Sequence, residues 1–179
     1  AGASYMEIMA AGGGIMSTVR QTRSASLEDL VLQARPRLER MVVSGTTTVE
    51  VKTGYGLTVS DEIKQLEAIR CLQSQLPVTL IPTFLGAHAV PEEYQDCPDA
   101  YVDLVVKEML PLVAAKEPKS FCDVFCEEGA FTLEQSRRIL ETAKEWGLEP
   151  KIHVDEFKSL GGARLAVELG AVSADHLIC

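Results

Sequence analysis

Aromatic residues are scarce in this chain, making up 6% of 179 residues with a single tryptophan. Cations are short as well: 17 Lys and Arg stand against 26 Asp and Glu, a formal net charge of −9. That balance excludes nucleic acid and anionic membrane surfaces as expected partners, because both are bound through basic patches. No apolar run approaches the ~20 residues needed to span a bilayer. The opening residues, Ala1-Gly2-Ala3-Ser4, carry neither the basic nor the apolar segment of a secretion signal. P-loop, GxGxxG and GxSxG signatures are missing, as are HxH and HExxH pairs. Gly12-Gly13-Gly14 comes after no strand and makes a poor phosphate cradle. The five cysteines (Cys71, Cys97, Cys122, Cys126 and Cys179) are odd in number and scattered, as expected of a reduced, cytoplasmic protein. Cys122 and Cys126 share a face of one strand and read as small core residues rather than as a pair.

What is present is apolar periodicity. Hydrophobic residues make up 46% of the chain, enough for a sizeable core. A short helix is expected over 5–11, then a mixed Thr/Ser-rich loop over 15–23 in which Arg20 and Arg23 are solvated charges. Ser26-Leu27-Glu28-Asp29 opens a helix that should kink or restart at Pro36. A β-branched strand over 46–51 leads into Lys52-Thr53-Gly54-Tyr55-Gly56-Leu57. Thr58 caps a second helix, and 78–85 is a near-continuous apolar strand of the parallel-sheet type ending at Gly86-Ala87-His88. Next come a helix over 99–115, a strand over 121–126 and a capping box from Thr132 to Gln135. Lys151 to Phe157 reads as a short buried strand, 161–169 as a helix, and the strand beginning at Val172 ends in Asp175 and His176.

Five strands alternating with helices predict an α/β fold of right-handed βαβ units forming one folding unit. Active sites in such folds lie beyond the carboxyl ends of the strands. All three histidines, His88, His153 and His176, fall at expected strand C-termini, beside Tyr55, Glu127, Glu156 and Asp175. Imidazole there can bind a metal or act as a base near neutral pH. Five βα units are too few to close a barrel of ~250 residues. An internal piece of a longer barrel is therefore expected, with open sheet edges and an apolar sheet face left uncovered.

Five segments together resemble imidazolonepropionase, a family of the amidohydrolase superfamily that acts in histidine degradation. They are Glu50-Val51-Lys52-Thr53-Gly54-Tyr55-Gly56-Leu57, Phe84-Leu85-Gly86-Ala87-His88, Cys122-Asp123-Val124-Phe125-Cys126-Glu127, Ile152-His153-Val154-Asp155-Glu156-Phe157 and Ser173-Ala174-Asp175-His176-Leu177. The resemblance implies a (β/α)8 TIM-type barrel of the metal-dependent amidohydrolase kind, truncated at both ends, with residues 1–179 as one partial catalytic domain. It implies His153 as a metal ligand, Glu156 as a contact to the substrate ring, and His176 as the residue that activates water. Tyr55 and His88 then hold the substrate. The implied reaction opens 4-imidazolone-5-propanoate to N-formimidoyl-L-glutamate with one zinc or iron ion, in a homodimer when the protein is complete. The family's HxH pair and its metal-binding aspartate would lie outside this sequence, so the chain alone is expected to bind metal weakly and to be inactive. Two other readings are a deaminase of aromatic bases from the same superfamily and a non-catalytic barrel segment. In a regular strand His153 and Asp155 share a face while Glu156 points away, so the role implied for Glu156 requires the strand to end by about residue 155.

Overall fold

A computed structural model describes residues 15–179. The helix expected over 5–11 and the break at Gly12-Gly13-Gly14 lie outside the described residues. Five strands, β1 (Thr48–Lys52), β2 (Thr79–Ala87), β3 (Phe121–Cys126), β4 (Glu149–Val154) and β5 (Ser173–His176), form one sheet in chain order, every neighbouring pair parallel. Helices separate consecutive strands, which is the repeat of a (β/α)8 barrel. Curling is visible in a single contact. Four strand spacings would hold β1 and β5 about 19 Å apart in a flat sheet. Yet the Lys52 Nζ of β1 lies 3.0 Å from the Asp175 Oδ2 of β5. The sheet therefore wraps around as part of a barrel.

Alternation along the strands sets up two chemically different faces. Phe84, Cys122, Val124, Cys126, Ile152 and Val154 are buried beneath the helices. Burial pushes the Cys122 and Cys126 thiols above the ordinary range, and neither is in a disulfide. The opposite, concave face carries Glu50, Lys52, Asp123, Lys151, His153 and Asp175, which pair with one another across strands. This corrects the expectation of an apolar open face: the side of the sheet that lacks a helix layer is an ion-pair network.

Among the described residues the helices are α1 (Ile15–Ser24), α2 (Leu27–Val43), α3 (Val59–Gln73), α4 (Pro98–Leu104), α5 (Leu110–Lys116), α6 (Leu133–Glu145) and α7 (Gly162–Leu169). The segment expected to be a Thr/Ser-rich loop is α1. It buries Val19 and Thr22, and its arginines reach back to the chain: Arg20 to Glu92, and Arg23 to Glu93 and the Gly56 carbonyl. Capping boxes start α2 at Ser26 and Asp29 and α6 at Thr132 and Gln135. Pro36 does not restart α2, which runs unbroken through it. Between α4 and α5 a wide turn, Val105–Met109, has the Leu110 N–H bonded five residues back to Val105. The next residue, Pro111, has no N–H to give to a regular ladder, so a widened turn costs little there. No helix among the described residues is long and apolar enough to cross a membrane.

β4 stops at Val154, and Asp155 turns into the left-handed region at φ 52°. Gly162 then starts α7 directly over β4, where an added Cβ would stand 2.4 Å from Val154 Cγ1. Gly162→Ala should lower unfolding stability by about 1–3 kcal/mol through overpacking against Val154, measured by denaturant titration beside the wild type.

Candidate functional site

Each carboxyl end of the sheet delivers a polar side chain, and buried carboxylates fix the loops that carry them. After β1, Glu62 is completely buried yet accepts hydrogen bonds from the backbone N–H groups of Gly54, Gly56 and Leu57 at 2.8–2.9 Å. A buried carboxylate must be matched with donors in this way. Gly54 has φ 96°, and a Cβ there would fall 2.4 Å from the Leu85 carbonyl oxygen. The loop is therefore pinned against β2 with Tyr55 at its tip.

The pairing of β2 with β3 gains one residue between Phe84 and Ala87. Such a bulge bends a strand end and re-aims the residues beyond it. His88, the next residue, meets Tyr55 edge-on with ring centroids 5.1 Å apart. Its Nδ1 lies 3.0 Å from the Gly54 carbonyl oxygen, so it is Nδ1–H that donates and Nε2 that is left as an acceptor. Burial holds the His88 pKa below the usual histidine value, which keeps the ring neutral at neutral pH.

From His88 a row of rings continues along the carboxyl ends. His88 meets Phe125 at 6.1 Å, Phe125 meets His153 at 6.2 Å, and His153 meets His176 at 5.2 Å. His176 Nε2 lies 3.3 Å from Glu156 Oε2. Tyr55, His88, His153, Glu156 and His176 are thus brought together as one wall, as the sequence implied. His176 and Leu177 are both left-handed, at φ 78° and 55°. Backbone of this kind is uncommon for such residues and concentrates at functional sites.

Glu156 owes its position to two carboxylates. Asp155 accepts from the backbone N–H groups of Leu160, Gly162 and Ala163, capping α7 where Gly161 has no side chain to do so. Glu127, only 2% exposed, takes the N–H groups of Glu156 and Phe157 on Oε2 and those of Glu128 and Lys158 on Oε1. The Asp155 carbonyl in turn accepts from Ile178 and Cys179, just beyond His176. With β4 ending at Val154, the loop turns Glu156 back towards His176, and the requirement for an early strand end is met.

Sequence reasoning missed the floor of the site. Asp123, wholly buried, accepts from Lys52 Nζ at 2.6 Å on Oδ2 and sits 3.0 Å from His153 Nδ1 on Oδ1. Lys52 also bonds Asp175. Burial disfavours the Lys52 ammonium, but Asp123, Asp175 and Glu50 more than offset that and raise its pKa. Burial likewise opposes the Asp175 carboxylate, and Lys52 outweighs it, so the Asp175 pKa is lowered. The period-2 pattern could have indicated this: Lys52, Asp123, His153 and Asp175 are polar interruptions in apolar strands. Asp123, His153 and Asp175 also form a group whose ligand atoms lie within 4.8 Å of one another, close enough for a metal ion. Lys52 Nζ already bridges the two carboxylates, while His153 Nε2 stands 3.9 Å from Asp175 Oδ2, beyond hydrogen-bond distance, among the described residues. The donor set therefore fits a metal best at His153 Nε2.

No protein-family model matches the chain. The imidazolonepropionase of Herpetosiphon aurantiacus is 58% identical over 185 residues, covering 99% of this chain, and that of Alkaliphilus metalliredigens is 55% identical over 177 residues with the same coverage. The chain spans 43% and 42% of the length of these two relatives. Among solved structures, an adenine deaminase from Arthrobacter aurescens matches 90% of this chain and 49% of its own, with a TM-score of 0.62 at 18% identity. That likeness supports the barrel fold alone, whereas the sequence matches carry the assignment: the chain belongs to the imidazolonepropionase family.

Proposed function

We propose that the protein carrying this segment hydrolyses the C–N bond of the cyclic amidine–amide in 4-imidazolone-5-propanoate, giving N-formimidoyl-L-glutamate in histidine degradation. The observation that carries this reading is the continuous wall Tyr55–His88–His153–His176–Glu156 at the carboxyl ends of the strands, in a chain 53–58% identical to proteins named imidazolonepropionase.

A metal ion, zinc or iron, would be held by His153 Nε2 together with ligands from outside this segment, where it would supply Lewis-acid activation of water. The rest of the chemistry falls to side chains of this chain. His176 takes the proton from the attacking water, a task that suits imidazole because its charge changes near neutral pH. Glu156, within 3.3 Å of the His176 ring, accepts a hydrogen bond from a ring N–H, receives the water proton from His176 and hands it to the departing nitrogen. Water oxygen ends on the ring carbon, the C–N bond breaks, and the nitrogen leaves protonated. Tyr55 and His88 position the ring, His88 through a neutral imidazole whose Nε2 can accept a hydrogen bond. The Glu62 and Glu127 cages hold Tyr55 and Glu156 in place before substrate arrives, which reduces the ordering needed on binding.

In the full-length protein, His176→Ala and Glu156→Ala should each lower kcat by roughly 100- to 10,000-fold with metal content near normal. Tyr55→Phe should act mainly on KM, and His153→Ala should lose metal and activity together. Steady-state kinetics beside metal analysis decide this. Loss of metal in His176→Ala with retention in His153→Ala would reverse the roles of ligand and base.

The 179-residue chain expressed by itself should hold no zinc or iron tightly, because a catalytic site of this kind needs three protein ligands. Metal content after mild chelation checks this, and a near-stoichiometric ion would contradict it.

A further inference from the structure

We infer that Asp123, charge-balanced by Lys52, is the residue that sets the tautomer and direction of His153. The inference rests on the reading of His153 as a metal ligand. Asp123 is wholly buried in the middle of β3 and touches two donors at once, Lys52 Nζ at 2.6 Å and the Nδ1 of His153 at 3.0 Å. A carboxylate carries no hydrogen, so the hydrogen in the second contact belongs to His153 Nδ1. The other nitrogen, Nε2, then presents its lone pair to the concave face, 3.9 Å from Asp175 Oδ2 and beside the His176 ring. Imidazole ligands are oriented in this way by a carboxylate behind them, which also raises their basicity.

Lys52 has a separate part. Without it, Asp123 and Asp175 would face each other as two carboxylates on the concave face, and an incoming cation would be drawn between them. The ammonium fills that gap, bonded to both. Asp123 is thereby kept as an acceptor for His153 and withheld as a ligand. Asparagine cannot replace it while Lys52 is present. Its single oxygen can serve only one of the two donors, and its NH2 group would be turned against the other. Removing the lysine as well frees the asparagine oxygen for His153 Nδ1–H.

The test uses the full-length protein, with zinc affinity measured by chelator competition and the His153 tautomer by 15N NMR of the metal-free form. Asp123→Asn should weaken zinc binding by roughly 10- to 100-fold and populate the Nε2–H tautomer. Lys52→Met/Asp123→Asn should restore the Nδ1–H tautomer and most of the affinity. Wild-type zinc affinity in Asp123→Asn would overturn the inference. So would a double variant that folds, keeps the Nδ1–H tautomer and binds no zinc, because Asp123 would then be a direct ligand. The tautomer readout also stands if Asp123→Asn fails to fold, since the double variant and the wild type remain to be compared. Failure of the underlying reading looks different: His153→Ala would keep its zinc whatever Asp123 does.

Discussion

A carboxylate cut off from water must be surrounded by donors or it destabilises the fold, and this half of a barrel is organised around that constraint. Glu62, Asp123, Glu127 and Asp155 are at most 3% exposed. None is paired with a free surface cation. Glu62, Glu127 and Asp155 collect backbone N–H groups from the loops after β1 and β4, and Asp123 collects a lysine and a histidine from the neighbouring strands. Each loop is therefore fixed by a charge that has nowhere else to be satisfied. The side chains proposed to carry the chemistry ride on those loops or stand on the strand beside the buried charge.

The two faces of the sheet divide the work. The outer face is apolar and carries the helices, supplying the burial that holds strand to helix. The inner face trades hydrophobic stabilisation for a network of Glu50, Lys52, Asp123, Lys151 and Asp175, whose charges offset one another. Buried ion pairs add little net stability, but removing one partner is costly. A lysine placed between two aspartates thus works as a constraint on geometry. It fixes which carboxylate faces the imidazole and leaves Nε2 of His153 open to the concave side.

Much of this is legible in the residues. Strand–helix alternation, both capping boxes and the strand over 121–126 arise from periodicity and side-chain chemistry that act locally, and the structure agrees. The placement of His88, His153 and His176 at carboxyl ends is equally readable, and the five segments that resemble the family single out Tyr55 and Glu156. The interior is not. Lys52 and Asp123 each show only as a polar interruption of their own strand, and their separation of 71 residues leaves no local signal that they pair. Glu62 looks like an ordinary first-turn acidic residue of α3 until the loop of Gly54 to Leu57 folds over it. Segment 15–23 reads as loop because its Thr and Ser content lowers local propensity, whereas burial of Val19 and the reach of Arg23 to Gly56 are tertiary effects.

The central claim is that this chain contributes one face of a metal site in which His153 is the ligand and Asp123 stands behind it. Anomalous diffraction from crystals of the full-length protein grown with zinc tests that most directly. The account predicts a peak about 2.0–2.1 Å from His153 Nε2, with Asp123 still bonded to Lys52 and to His153 Nδ1. A peak bound by Asp123, with Lys52 swung away from both aspartates, would contradict it.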